Sequence, residues 1–355
     1  MIGIKNRRGL VLIPLLIFVL LTSVIATISI GSADVPINKV YRVLWDIILN
    51  DGQGVKNGLC STAHYHIIWD IRLPRVIIGI LCGAGLATCG AVMQALVLNP
   101  IADPYVLGVS SGASAGAAWA LLMPLPYFVG QHQVTVTAML GAMIASFFVY
   151  TMAKIGSGGK LKPVTLILSG TAINAVMSAI TSLLIFMAKS HESISAVYNW
   201  QMGSIASAQW STLPLPAIGV IFSIIVFIRY GVKFNLMMMG DDDAIALGMN
   251  VKFFRTIMMA LVAVVVATLV SVTGIIGFVG LMIPHIVRLI AKTSDNSSII
   301  LLSAIVGAIF LIWADAGARG FFGAAELPLG IITAFIGAPF FLYLMAKKSY
   351  GGKME

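Results

Sequence analysis

The sequence predicts an all-α, polytopic membrane protein with about ten transmembrane helices, and three observations predict it. Of 355 residues, 59% are hydrophobic and only 10% charged, against about 25% charged in an ordinary soluble domain. Leu10 to Ile30 is a run of 21 residues without a charge, long enough at about 1.5 Å per residue to cross a hydrocarbon core of roughly 30 Å. Comparable runs recur to the end of the chain, separated by short polar or Gly- and Pro-containing connections.

Taken in order, the first run follows Lys5, Arg7 and Arg8, as a signal peptide would. Signal cores run about 7 to 15 residues and end at a small-residue cleavage site; this run is longer and no Ala-x-Ala follows, so it reads as a retained span. Further spans are predicted over 69–97, 105–123, 134–154, 164–188, 212–229, 254–274, 280–291, 299–316 and 328–346. The eighth is too short to cross alone, and Gly277, Gly280 and Pro284 interrupt it. It is expected to be a broken half-helix buried among its neighbours, where irregular backbone is tolerated. The whole chain, 1–355, reads as a single transmembrane domain with a cytoplasmic loop at about 236–252. Small residues four apart let helices pack closely in lipid, and Gly79 with Gly83 and Gly112 with Gly116 fit that pattern.

The net charge of +9 is dispersed between apolar spans and forms no basic stripe, which argues against nucleic acid as a partner. Ten spans put both termini on one side, and that side holds 15 of the 22 Lys and Arg residues. Cytoplasmic loops carry that excess, so both termini are expected in the cytoplasm, with the chain multi-pass in a bacterial cytoplasmic (inner) membrane among its lipids. The acids fall at span ends or in loops, whereas ion-coupled carriers keep ionisable groups at membrane depth. An autonomous secondary transporter of a hydrophilic solute is therefore the alternative reading.

No catalytic residue is identified, and no cofactor or metal site. The segment Gly156 to Leu161 lacks the Ser or Thr that follows the lysine of a phosphate-binding loop, and its strand-to-helix setting. No His-Glu-x-x-His string occurs. Cys60, His64 and His66 match no zinc spacing, and Cys82 and Cys89 read as small apolar residues of a span.

Four segments stand out. The first runs from Arg72-Leu73-Pro74-Arg75 through Gly90-Ala91-Val92-Met93-Gln94 to Asn99-Pro100-Ile101-Ala102-Asp103-Pro104 and Gly108-Val109-Ser110-Ser111-Gly112. Its two prolines are too close for one helix, so it contains a turn. Arg72 and Arg75 share a helix face at a span end, where arginines also snorkel to lipid headgroups. The second, Met239-Gly240-Asp241-Asp242-Asp243-Ala244-Ile245-Ala246-Leu247-Gly248-Met249-Asn250, reads as a short helix with acids at its positive end and a glycine stop. The third is Gly277 to Arg288, in which His285 reads as a structural hydrogen-bonding residue. The fourth is Ala324-Ala325-Glu326-Leu327-Pro328-Leu329-Gly330, ending in Gly337-Ala338-Pro339-Phe340, with Glu326 read as helix N-terminal charge.

Together with Trp200-Gln201-Met202-Gly203-Ser204 and Trp313 to Arg319, these segments resemble the FecCD/BtuC-like permease family of ABC importers for ferric siderophores, haem and cobalamin. The resemblance runs from Arg72 to Ala346. It implies the type II ABC importer permease architecture and a transport subunit, not an enzyme, with ATP hydrolysed on separate ATP-binding cassette ATPase subunits. It implies a metal chelate as cargo, a ferric siderophore foremost, received from a periplasmic or lipid-anchored substrate-binding protein, and a second copy or paralogue completing the pathway. Arg72, Arg75 and Arg319 match docking positions for the binding protein. Gly240, Asp241, Ala244, Leu247 and Gly248 fall on the loop that couples to the ATPase. Asn99 and Ile101 match a cytoplasmic gate. Asn174 and Ser178 lie one turn apart in the fifth span, which lines the pathway in similar proteins, though the pair could equally bond a neighbouring helix.

Overall fold

A computed structural model of the chain describes residues 7–31, 35–50, 61–123, 132–159, 161–320 and 326–351. Cys60, Lys160 and Ala324–Ala325 lie outside them. The helices, in chain order, are α1 (Arg7–Ser29), α2 (Ile37–Asn50), α3 (Thr62–Leu96), α4 (Val109–Leu122), α5 (Gln133–Gly156), α6 (Pro163–Met187) and α7 (His191–Gln201). They continue with α8 (Pro214–Arg229), α9 (Gly231–Met237), α10 (Asp241–Ala246), α11 (Val251–Thr273), α12 (Val279–Ala291), α13 (Asn296–Gly320) and α14 (Leu329–Gly351). Among the described residues there is no strand.

Each predicted span window holds a helix: α1, α3, α4, α5, α6, α8, α11, α12, α13 and α14. Six of these, α1, α3, α5, α6, α11 and α13, are long and apolar enough to cross a membrane alone. α8 reaches that length only together with α9, from which it bends by 63°. α12 is the short helix expected: its 13 residues cover about 20 Å, and Phe278 before it takes the left-handed conformation at φ 68°. α2 gave no span signal because it is short and two-faced. Val40 and Val43 are buried in the protein while Ile37, Tyr41 and Trp45 line an exposed face.

α3 is the hub: from Leu73 to Leu96 it is nearly all buried, packing on α8, α11, α12 and α13. Lipid supplies no hydrophobic sorting between helices, so these contacts depend on how closely backbones approach. A Cβ on Gly83 would overlap the Gly307 carbonyl of α13, and one on Gly90 would overlap the Gly280 carbonyl of α12. Gly112 and Gly116 bring α4 onto Gly141 and Thr137 of α5 in the same way. Gly79, the fourth glycine expected at a contact, meets side chains first, Ile312 and Ile205 at 3.2 and 3.3 Å, with the Ile312 backbone at 3.9 Å. Near its start α3 widens into a π turn over Ile67–Arg72. Pro74 has no N–H for the carbonyl four residues back and its ring clashes there, so the turn expands to absorb it.

Candidate functional site

Three places gather the residues singled out in the sequence, and each is a joint between helices. The first is a rim where α1 ends, the π turn of α3 closes and α13 ends. Arg72 Nη1 donates to the carbonyls of Ile28 and Ser29 at 2.6 and 3.0 Å, so a cation closes the negative end of α1. Arg75 pairs with Asp315 at 2.9 Å and, through Nη1, with Glu326 at 2.9 Å. Arg319 donates to the Ile30 and Thr27 carbonyls at 2.6 and 3.0 Å, and its Nε lies 3.1 Å from Asp315.

A docking surface built on free cations would expose them. Here Arg72, Arg75 and Arg319 are 4%, 5% and 4% exposed, and their charges are met inside the protein. The physical reason is cost, because a cation removed from water must be paired or hydrogen-bonded. Asp315 is the buried acid that answers two of them. Glu326, read from sequence as helix N-terminal charge, instead faces Arg75 and is the half-open member, its side chain 34% exposed.

The second joint is the loop that carries α10. Gly240 and Gly248 turn the chain at φ +117° and +83°, a region that side chains disfavour, and bracket the single turn of α10. Asp241 takes both arms of the Arg255 fork, at 2.8 and 2.6 Å. Arg255 also donates to the Leu96 carbonyl at 3.1 Å and the Leu161 carbonyl at 2.9 Å. One side chain thus pins the loop to the end of α3 and to the connection between α5 and α6. Ala244 is fully buried beneath α10, while Asp242, Asp243, Ile245 and Leu247 project outward, the last two 58% and 61% exposed. Arg255 falls at the edge of the predicted span 254–274, and nothing in its spacing announced the pair with Asp241.

A companion pin joins α9 to α13. Asn235 donates to Asp295 at 2.9 Å and accepts from the Asn296 backbone at 2.8 Å. Burial alone would raise the Asp295 pKa, but hydrogen bonds from Asn235 and Ser298 outweigh it and hold the carboxyl below its ordinary value.

The third joint is the turn between α3 and α4. Asn99 Oδ1 accepts from the Ile101 N–H at 3.1 Å, and the Asn99 carbonyl accepts from Ala102 at 3.0 Å, closing a tight turn. Leu98 sits at φ 55°, and Leu98 and Ile101 are both exposed at its tip. Asp103 accepts from the Tyr105 N–H at 2.8 Å, and burial pushes its carboxyl up to about 6. The Tyr105 hydroxyl donates to the Ile276 carbonyl at 3.0 Å, tying the turn to the break between α11 and α12.

Of the two suggested pathway residues, Asn174 accepts from the Ser111 hydroxyl at 2.6 Å and so bonds the neighbouring α4, whereas Ser178 is exposed. His66 Nδ1 lies 2.6 Å from Asp70, and His285 packs edge-on against Phe340. Among the described residues no three His, Cys, Asp or Glu side chains are placed to hold a metal.

Two of the sequence strings meet in space. Gly90 lies on Gly280, Gln94 donates to the Leu281 carbonyl at 3.3 Å, and Arg288 donates to Gln94 Oε1. The profile of the FecCD transport family matches residues 16–347, which take in both strings and all three joints. The chain belongs to the FecCD transport family. Its FecCD relatives include the cobalamin import system permease protein of Halobacterium salinarum, 40% identical over 81% of this chain and 75% of that protein. The hemin transport system permease protein of Yersinia pestis is 32% identical over 94% of this chain and 96% of its own length. Among solved structures, an inward-facing metal-chelate type ABC transporter superposes with a TM-score of 0.77 at 27% identity, over 94% of this chain and 97% of that one.

Proposed function

We propose that this chain is the membrane subunit of an ATP-driven importer that passes a metal chelate, foremost a ferric siderophore, with haem and cobalamin as the neighbouring possibilities. The reading is carried by α10: an acidic and apolar surface turn, pinned to the helix bundle by the Asp241–Arg255 pair, in a chain with no nucleotide site of its own. Such a turn suits a groove on an ATP-binding cassette subunit, and its pins let that subunit's closure move the bundle as a body. Gly240, Asp241, Ala244, Leu247 and Gly248 serve here as the loop's bends, anchor, footing and contact.

The arginine rim then faces outside and the coupling loop faces the cytoplasm, with both termini on the loop's side, in accord with the bias of Lys and Arg to that side. A substrate-binding protein docks on the rim. Arg72, Arg75 and Arg319 hold that platform together, and a docking carboxylate reaches Arg75 by competing with Glu326. The turn at Asn99 and Ile101 closes the cytoplasmic end of the pathway. A second copy or a paralogue covers the open flank of α6, on which Ser178, Leu183 and Phe186 are exposed.

The test is uptake of radiolabelled ferric siderophores, with haem and cobalamin beside them, in cells with the gene intact, deleted, or carrying Leu247→Asp. Loss of one cargo class in both altered strains, with the variant still in the membrane, names the cargo. Survival of all uptake after deletion, in a strain cleared of paralogues, overturns the importer reading.

A further inference from the structure

A cavity of about 450 Å³ lies between α8, α9 and α11, floored by the last residues of the coupling loop. Its walls are apolar: Phe222 and Val226 of α8 face Ile257 and Leu261 of α11, and Leu247 and Met249 close one end. Its polar end is a cation. Lys233 Nζ sits 5.0 Å from the centre of the Tyr230 ring and 5.7 Å from that of Phe254, and among the described residues no carboxylate lies within 4.0 Å of it. Arg229 at the end of α8 and Lys252 at the start of α11 add two exposed cations at the same level of the bundle, also without an ion pair among the described residues.

The shape is directional. From Tyr230 to Phe222 is eight residues, about 12 Å along α8, so the slot runs from the cationic end into the depth of the spans. Phe222 is 58% exposed and continues an open stripe of Leu215, Ile218, Ile221 and Ile225. The side of the slot therefore opens onto the apolar surface that faces the bilayer, and its charged end lies where headgroups lie. We propose that this cavity binds an anionic phospholipid, with its phosphate on Lys233 and an acyl chain between α8 and α11.

The chemistry selects that class. A soluble anion gains nothing from walls of Phe, Val, Ile and Leu, whereas an acyl chain buries its methylenes there. A zwitterionic headgroup brings its own cation toward three that lack a counter-charge; an anionic one does not. Because Leu247 to Asn250 form the floor, the bound lipid would brace the coupling loop from below, and lipid composition would bear on transport.

The proposal is tested on the full chain purified in detergent, by native mass spectrometry during titration with phosphatidylglycerol or phosphatidylcholine. The expected result is one tightly held phosphatidylglycerol per chain, about tenfold preferred over phosphatidylcholine. Lys233→Gln is expected to weaken phosphatidylglycerol about tenfold and leave phosphatidylcholine unchanged. Ile257→Trp, which fills the slot, is expected to exclude both. Lys154→Gln is the control: Lys154 also sits on a tyrosine, 5.9 Å from the Tyr150 ring, but lines no part of the cavity. Thermal melts separate loss of binding from loss of fold. Three results each overturn the proposal: equal binding of the two lipids to the wild type, undiminished phosphatidylglycerol binding by Lys233→Gln, or displacement of the lipid by glycerol 3-phosphate at equal concentration.

Discussion

Replacing Asp241 by Asn probes the loop that carries α10 at its anchor. The carboxylate is the counter-charge of Arg255, which is 4% exposed and after the substitution keeps the Leu96 and Leu161 carbonyls and one neutral amide oxygen but no counter-charge. Breaking a fully buried pair by removing one partner costs about 3–5 kcal/mol. The Asp241 side chain is 38% exposed, so water takes up part of its role, and about 1–3 kcal/mol is expected, near the worth of a charged hydrogen bond. The assay is thermal unfolding of the purified protein, with Asp242→Asn as control, since Asp242 is exposed and makes no ion pair among the described residues. Asp241→Asn should melt lower and, reconstituted with its ATPase, should transport less cargo per ATP hydrolysed. If the variant melts with the wild type, or Asp242→Asn loses as much, the loop is not anchored by this pair.

Gly83→Ala should force α3 and α13 apart and cost about 1–3 kcal/mol or more in a melt, whereas Gly219→Ala, in α8 with nothing within 4 Å of its Cβ, should be neutral or stabilising. Asp103, raised from 3.8 to about 6, favours its neutral form in the fold, so its contribution to stability is present below about pH 4 and is lost as pH rises through 6. Asp103→Asn keeps an acceptor for the Tyr105 N–H and should abolish that slope, melting above the wild type at pH 7 and with it at pH 4; an unchanged slope would assign it to other groups. Glu326→Gln should release Arg75 and tighten capture of a carboxylate-bearing binding protein, measured by surface plasmon resonance; unchanged or weaker capture speaks against Arg75 as a docking cation.

The spans were legible because hydrocarbon thickness imposes one length on every crossing helix, and the broken α12 announced itself through Gly277, Gly280 and Pro284. Gly83, Gly112 and Gly116 were legible as contacts for a related reason, since small residues at four-residue spacing in lipid have few other uses. The charged joints were not. Arg75 and Asp315 are 240 positions apart and Arg255 and Asp241 only 14, yet in neither pair do the partners share a helix. A span-end charge reads alike whether it faces water or a partner. α2 was missed for the opposite reason: its apolar residues are split between a buried face and an exposed one, so no window of sequence stands out.

The charged joints also indicate where the molecule can bend. Arg75 lies near the start of the buried length of α3, and Arg255 reaches the carbonyl of Leu96 at its end, 21 residues or about 32 Å away. The rim and the loop that carries α10 are thus fastened to opposite ends of the buried length of α3, Leu73–Leu96. Alternating access needs two states that differ somewhere, and a rod pinned at both ends is a poor place for the difference. The candidates are the breaks, which gather beside the rod and hold one another by backbone alone. Ser204 donates to the Thr273 carbonyl at 2.7 Å, Leu329 to Gly203 at 2.9 Å and Gly330 to Met202 at 3.1 Å. Three unwound segments, following α7, following α11 and leading into α14, therefore share a few exchangeable hydrogen bonds, and Gly203 and Gly274 sit there at φ +71° and +69°. A population shift in this fold is best placed at that knot, with the charged joints carrying motion to it as rigid levers.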